Sequence, residues 1–263
     1  MLWIATTRRP GQSYVNALAA KPVQIDLPRA LKQHEAYCHA LENMGIRVIT
    51  LPADERFPDG CYVEDALIVR NGVALLTRSG APSRQGEGES IRPTLESLGL
   101  RIVQTQPPGT LDGGDVIWVE DEAYVGLSSR SNREGIAQLA AALGVRAHGV
   151  PMPPGLLHLK SGGVYLGGGK LLAVAALASF AAERGLEWVP VPEGEEIAAD
   201  TLIVGSHALV PGGHPKTAAL LENLGFRAQS VNLSEFHKTD GGATCLSVIW
   251  PESHHKDTKA RRE

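Results

Sequence analysis

The chain is poor in cysteine, in aromatic residues and in net charge, and each shortage excludes something. Only Cys38, Cys61 and Cys245 occur, an odd number with no CxxC pair. Neither a disulfide framework nor a zinc knuckle is therefore expected. The net charge of -4 gives no basic footprint for nucleic acid or for an anionic membrane surface. No apolar run reaches the ~18–20 residues of a membrane-spanning helix. No linker or low-complexity segment divides the 263 residues, and 43% hydrophobic with 21% charged residues is a globular rather than a disordered composition. Residues 1–251 are expected to form one domain, with 252–263 as a polar tail in which His254-His255 is solvated. The segment Met1–Pro10 places its apolar residues before its charges, the reverse of a secretory signal. A cytoplasmic protein is the expectation.

Glycine and proline are abundant, at 29 and 17 residues, and they punctuate a repeat. A helical stretch ending in Gly and followed by an apolar strand recurs at Gly45-Ile46-Arg47-Val48, Gly99-Leu100-Arg101-Ile102, Gly144-Val145-Arg146-Ala147, Gly185-Leu186-Glu187-Trp188 and Gly225-Phe226-Arg227-Ala228. Each Gly suits the position after a helix where φ must be positive. Strand candidates precede the helices: Trp3–Thr6, then Ala66–Val69 with Ala74–Leu76, Val116–Val119 with Ala123–Val125, Val164–Leu166 with Leu171–Ala173, and Thr201–Val204 with Ala208–Val210. A last strand over Cys245–Trp250 has no helix of its own. The expected fold is α/β, with five strand–strand–helix–strand units closed into a ring where the two chain ends meet, which leaves no open sheet edge.

Residues with chemical capacity fall at one phase of this repeat, just before a strand. They are Asp59 with Glu64-Asp65, Asp112-Gly113-Gly114-Asp115, His158-Leu159-Lys160 and Asp240-Gly241-Gly242-Ala243-Thr244-Cys245. Rotation of related units would bring them to one mouth. A lone Cys at a strand start is ordinarily a small hydrophobe, and a lone His in a loop is ordinarily structural. The shared phase argues for chemistry. A Cys nucleophile needs a cationic or basic neighbour to ionise it. His158 can supply one, and a carboxylate would orient it. The remaining acids call for a cationic substrate, and a planar guanidinium fits paired carboxylates. Cys61, among anions, is a poor nucleophile.

Phe57-Pro58-Asp59 with Val63-Glu64-Asp65, Leu111–Val116, Gly126–Asn132, His158–Ser161 and Asp240–Cys245 resemble the dimethylarginine dimethylaminohydrolases of the guanidine-modifying pentein superfamily. The resemblance covers nearly the whole chain. It implies a five-bladed α/β propeller that hydrolyses Nω-methylated arginines to citrulline through a covalent Cys thiouronium, with no metal or organic cofactor. It implies Cys245 as nucleophile, His158 as general acid and base, and Asp112 as the partner of His158. Asp65 would bind the guanidinium. Asp59 and the Leu18 carbonyl would bind the substrate α-amino group, and Arg84 and Arg130 the α-carboxylate. Glu64 belongs to the motif without a fixed role, and the roles of Asp115 and Asp240 stay open. The expected partner is a small guanidino amino acid, without nucleic acid or membrane; a homodimer is possible by analogy.

Arginine deiminases carry an Asp two residues after the catalytic His, where this chain has Lys160. Losing that carboxylate suits a substrate whose nitrogen carries methyl groups instead of N–H donors. Leu159 is expected to add apolar surface there, and Tyr62 to stack on the guanidinium. The alternatives are an arginine deiminase-like or other guanidino-acid hydrolase and, from another class, a non-catalytic propeller binding protein, which would have no use for this Cys, His and acid set.

Overall fold

The computed structural model describes residues 2–252; the His254-His255 pair and most of the expected tail lie outside the described residues. All five repeat glycines adopt the left-handed conformation, with φ of 80° at Gly45, 72° at Gly99, 66° at Gly144, 65° at Gly185 and 92° at Gly225. A side chain at any of the five except Gly99 would meet nothing within 4 Å at Gly45, Gly144, Gly185 and Gly225. The demand there is conformational rather than steric.

The elements run β1 (Trp3–Arg8), α1 (Leu27–Asn43), β2 (Ile46–Leu51), α2 (Val63–Ala66), β3 (Leu67–Arg70), β4 (Val73–Leu76), α3 (Arg92–Ser97) and β5 (Arg101–Gln104). They continue with β6 (Val116–Val119), β7 (Glu122–Leu127), α4 (Arg133–Leu143), β8 (Arg146–Pro151), β9 (Gly163–Gly167), β10 (Lys170–Ala173), α5 (Ala178–Glu183) and β11 (Glu187–Pro190). Last come β12 (Leu202–Val204), β13 (His207–Pro211), α6 (Pro215–Asn223), β14 (Arg227–Val231), α7 (Ser234–His237) and β15 (Ser247–Pro251). Helix α1 starts where the Asp26 side chain accepts from the Arg29 N–H, and α4 where Asn132 accepts from the Gly135 N–H. Both satisfy first-turn donors that have no partner inside the helix.

Five three-stranded sheets result, ordered β15-β1-β2, β3-β4-β5, β6-β7-β8, β9-β10-β11 and β12-β13-β14. Each joins an antiparallel pair to a parallel strand that returns through a helix, as in β3–β4 and β4–β5. The first sheet is made from both ends of the described chain, with Trp3 opposite Pro251 and Thr7 opposite Ser247. Apolar clusters join successive sheets. Leu75 and Val125 meet over Leu139 of α4, and Leu172 and Ala208 meet over Leu221 of α6. A further cluster links Ala5 in the first sheet to Leu209 in the last, under Tyr37 and Leu41 of α1.

The inner strands β3, β6, β9, β12 and β15 together line one cavity of about 280 Å³. Glu64, Lys160 and Thr244 also reach it, whereas His158, Asp112 and Cys245 are not among its lining residues. Cys245 does not open the last strand, which begins at Ser247. Its carbonyl accepts the Glu64 N–H at 3.2 Å and so serves a turn instead of a ladder.

Candidate active site

Each inner strand is entered through a tight turn, and those turns carry the polar residues. The single turn of α2 buries Glu64 and Asp65. The turn over Gly113–Asp115 precedes β6, and Lys160–Gly162 precedes β9. Asp200 ends the turn before β12, and Thr244-Cys245 precedes β15.

Asp65, Asp112 and His158 converge so closely that one polar atom of each lies within 4.8 Å of the others. His158 Nε2 is 3.2 Å from Asp112 Oδ2 and 3.9 Å from Asp65 Oδ1. The same Asp65 oxygen accepts the Gly114 N–H at 3.0 Å. A Cβ on Gly114 would stand 2.6 Å from Asp65 Oδ1 and 3.0 Å from His158 Nδ1, and one on Gly113 would stand 2.0 Å from the Glu64 carbonyl oxygen. The glycine pair is what lets these loops close on one another. Asp115 holds the assembly from behind. It accepts the Leu159 N–H and the hydroxyls of Ser128 and Ser131, which fixes the turn presenting His158.

Burial disfavours a charged His158, yet the carboxylates of Asp65, Asp112 and Asp115 outweigh it and raise its pKa to about 9. That shift favours the imidazolium, and a ring held beside two carboxylates can give and take a proton. Asp65 is driven the other way; burial opposes its charge, but His158 and Arg84 hold it below the ordinary carboxylate range. Asp112 Oδ1 is buried without a partner among the described residues, so the site retains a free acceptor there.

The Cys245 thiol makes two hydrogen bonds within the protein. Its Sγ accepts the Gly242 N–H at 3.5 Å and donates to Asp200 Oδ2 at 3.7 Å. Burial and the charges of Asp200, Glu64 and Asp65 push the thiol well above its ordinary pKa. Glu64 accepts the Thr244 hydroxyl at 2.8 Å and is ion-paired with Lys160. Burial raises Glu64 to about 7 against the pull of Lys160. A Glu64–Lys160 bridge therefore ties the turn of His158 to the turn of Cys245.

The outer part of the site is built on the 17–20 segment. Asp59 accepts the Leu18 N–H at 3.1 Å, and Asp240, in the left-handed region at φ 60°, accepts the Ala20 N–H at 3.0 Å. Leu18 stays exposed. Arg130 Nη1 is buried with no partner among the described residues. Arg84 differs from its expectation as a free anion clamp. Its guanidinium donates to Asp65 Oδ2 at 2.5 Å and to both oxygens of Glu87 at 2.9 and 2.8 Å, with weaker bonds to the Asp59 and Tyr62 carbonyls. Of its five N–H donors, nearly all are spent inside the protein.

Two further expectations are corrected. Leu159 adds no exposed apolar surface beside His158; it is fully buried in the cluster of Ile117 and Leu171. Tyr62 does not present a face to a guanidinium. It packs edge-on against Tyr14 and Phe236, and its ring fills the space a Cβ at Gly241 would need. Cys61 is buried as a small hydrophobe, its thiol raised by burial and by Asp59. Asp200 and Glu87 were not anticipated. Asp200 stands at the same pre-strand phase as the other acids. Glu87 lies three residues after Arg84, an ordinary ion-pair spacing.

The family model for eukaryotic N,N-dimethylarginine dimethylhydrolase matches residues 6–165. A dimethylarginine dimethylaminohydrolase of Pseudomonas aeruginosa is 36% identical over 247 residues, 92% of this chain and 96% of that protein. Its counterpart in Streptomyces coelicolor is 38% identical over 249 residues, 93% and 95% of the two chains. Among solved structures, a cysteine-to-serine variant of the P. aeruginosa enzyme complexed with citrulline superposes with a TM-score of 0.90 at 35% identity, covering 95% of this chain and all of that one. The N-terminal domain of a cyanobacterial arginine dihydrolase shares the fold at a TM-score of 0.84 and 19% identity. The α/β architecture of five small mixed sheets is thus that of the guanidine-modifying pentein enzymes. The chain belongs to the dimethylarginine dimethylaminohydrolase family.

Proposed function

We propose that the chain hydrolyses Nω-methylated arginines to citrulline and a methylamine through a covalent adduct on Cys245. The observation that carries this reading is His158 held within reach of Asp65 and Asp112, on a turn joined to that of Cys245 through Lys160, Glu64 and Thr244. Asp65 orients the substrate guanidinium through one edge. The Cys245 thiolate attacks the central carbon, and His158 gives its proton to the departing methylamine. Neutral His158 then accepts a proton from water as that water attacks the thiouronium carbon, and collapse frees citrulline and the thiolate. Asp112 keeps the imidazole oriented throughout.

Asp59 and the Leu18 carbonyl take the substrate α-amino group, and Arg130 its α-carboxylate. The buried Nη1 of Arg130, unpartnered among the described residues, supports that assignment. Arg130→Ala should raise KM by roughly 10–150-fold, the equivalent of one charge-assisted bond of about 1.5–3 kcal/mol, with a smaller fall in kcat. Arg84 acts chiefly on Asp65, so Arg84→Ala should lower kcat as well as raise KM. Steady-state kinetics of the two variants side by side separate these patterns, and identical KM-only effects would return Arg84 to the clamp.

Lys160 neutralises Glu64 in place of a second guanidinium carboxylate. Arginine would therefore present N–H donors without an acceptor, at roughly 1–3 kcal/mol each when dry. Citrulline formation from asymmetric dimethylarginine and monomethylarginine should exceed that from arginine at least ~10-fold. Symmetric dimethylarginine should be poor, because Asp65 needs one unmethylated edge. If arginine were the best of the four substrates in the same assay, the chain would act as a deiminase.

The finer architecture belongs to the same reading. The apolar cluster between the first and last sheets and the cavity lined by all five inner strands support a closed five-bladed ring within one domain over 1–251. The substrate is a free small molecule. No described helix is long and apolar enough to cross a membrane. A cytoplasmic location and a homodimer complete the proposal; fractionation and sedimentation velocity test them.

A further inference from the structure

The first parallel strand pair ends on a charge that the proposed reaction does not use. We propose that the guanidinium of Arg8 is the recognition element of a second binding site, one for a small monocarboxylate with a short apolar body.

Arg8 closes β1 and pairs with Leu51, the last residue of β2. It is only 3% exposed, yet its Nε and Nη2 have no hydrogen-bond partner among the described residues. Those two nitrogens form one edge of the planar guanidinium, the edge that can take both oxygens of a carboxylate. A buried donor left unpaired is costly, and a charged one more so. Two such donors on one edge therefore call for an acceptor. Arg8 also lines a cavity of about 230 Å³, together with Leu51, Pro52, Ala53, Asp54 and Arg56. This cavity shares no lining residue with the central one that Glu64 and Lys160 reach.

The neighbouring charges set the valence of the ligand. Arg8 Nη1 is 3.4 Å from Asp54 Oδ2, and Arg56 donates to both Asp54 oxygens, at 2.8 and 2.7 Å. Glu87 also bears on Arg8, but Arg84 holds it at 2.9 and 2.8 Å. Two arginines thus share the Asp54 carboxylate, and one positive charge is left unmatched beside the cavity. Burial pulls the pKa of Arg8 down while Asp54 and Glu87 push it up, and a guanidinium keeps its proton inside proteins. Arg56 holds Asp54 well below the ordinary carboxylate range, so Asp54 stays ionised. A monoanion fits this balance, whereas a second negative charge on the ligand would be repelled by Asp54. The fork of Arg56 is already filled by Asp54, and Arg56 is largely exposed. It contributes charge, and Arg8 contributes the buried fork. Leu51, Pro52 and Ala53 supply apolar wall, which suits a short aliphatic chain behind the carboxylate.

Trifluorobutyrate, titrated at pH 8 and constant ionic strength and followed by fluorine NMR, probes the site. The expected result is saturable binding with a Kd in the low-millimolar range, retained in Arg130→Ala. Arg8→Lys keeps the charge and loses the fork, so it should weaken binding at least ~10-fold. Trifluorobutanol, which is uncharged, should bind at least ~10-fold more weakly than the carboxylate, and so should inorganic phosphate, largely a dianion at this pH. Should Arg8→Lys fail to fold, Ala53→Asp puts a second negative charge on the cavity wall and should weaken binding by at least the same factor. Equal affinity in the unsubstituted chain and in a folded Arg8→Lys or Ala53→Asp would overturn the proposal, as would the lack of any saturable binding. Loss of binding in Arg130→Ala would overturn it too, by placing the carboxylate in the substrate site. Phosphate or the alcohol binding as tightly as trifluorobutyrate would overturn the choice of a monocarboxylate.

Discussion

Cys245→Ala should abolish citrulline formation, with kcat lower by at least ~10⁴-fold, because a covalent route offers no substitute for its nucleophile. Neither other cysteine can replace it. Cys61 is buried beside Asp59 and pushed well above its ordinary pKa. Cys38 lies on α1 in contact with Thr7 and Thr50 and is also raised by burial. The fold should survive. The substitution removes one sulfur atom from a turn whose backbone bonds to Glu64 and Asp200 remain, a cost of about 1 kcal/mol or a Tm change of about 2–4 °C for a chain of this size. The checks are a citrulline assay, a thermal melt and mass spectrometry of quenched reactions. The unsubstituted chain should carry an adduct that the Ala variant lacks. Residual turnover above one per cent with an intact fold would place the chemistry elsewhere.

The repeat was legible because its markers are local. A glycine after each helix, an apolar return strand and an acid or histidine before each inner strand are short-range patterns, and each reflects backbone conformation or burial. Contacts across units were less visible. Asp200 shares the pre-strand phase, yet only the fold shows that its carboxylate meets a thiol 45 residues away. Arg84 had the right neighbourhood and an altered partner set. Nothing in Pro82-Ser83-Arg84 reveals that the side chain turns inward to Asp65 and Glu87. Leu159 and Tyr62 illustrate the same limit. An apolar side chain next to a catalytic residue faces either the pocket or the core, and alternation along a strand does not decide this within a tight turn. Leu159 went to the cluster under β6 and β10, and Tyr62 to the aromatic group that packs against Gly241.

Asp112→Asn should separate the two duties of His158. The imidazole loses the anion 3.2 Å from Nε2 but keeps Asp65 at 3.9 Å. Its pKa should fall from about 9 toward the ordinary histidine range. As leaving-group acid, His158 must be protonated when the C–N bond breaks, so kcat in the unsubstituted chain should decline as pH rises through about 9. In Asp112→Asn that alkaline limb should move down by at least ~1 unit, with kcat at neutral pH lower by about 10²–10⁴-fold, as for other residues that orient a catalytic imidazole. Stability follows the same proton. Because the folded-state pKa lies above the unfolded value near 6.5, the contribution of His158 is fully present below that value and is lost as pH rises through about 9. Its full size is about 3 kcal/mol, and it is shared with the carboxylates that raise the pKa, so it is counted once. Urea unfolding at pH 6 and pH 9.5 should show a smaller difference in Asp112→Asn than in the unsubstituted chain. A variant with lowered kcat but an unmoved alkaline limb would mean that Asp112 positions the ring without setting its charge, leaving Asp65 as the anion that keeps His158 protonated.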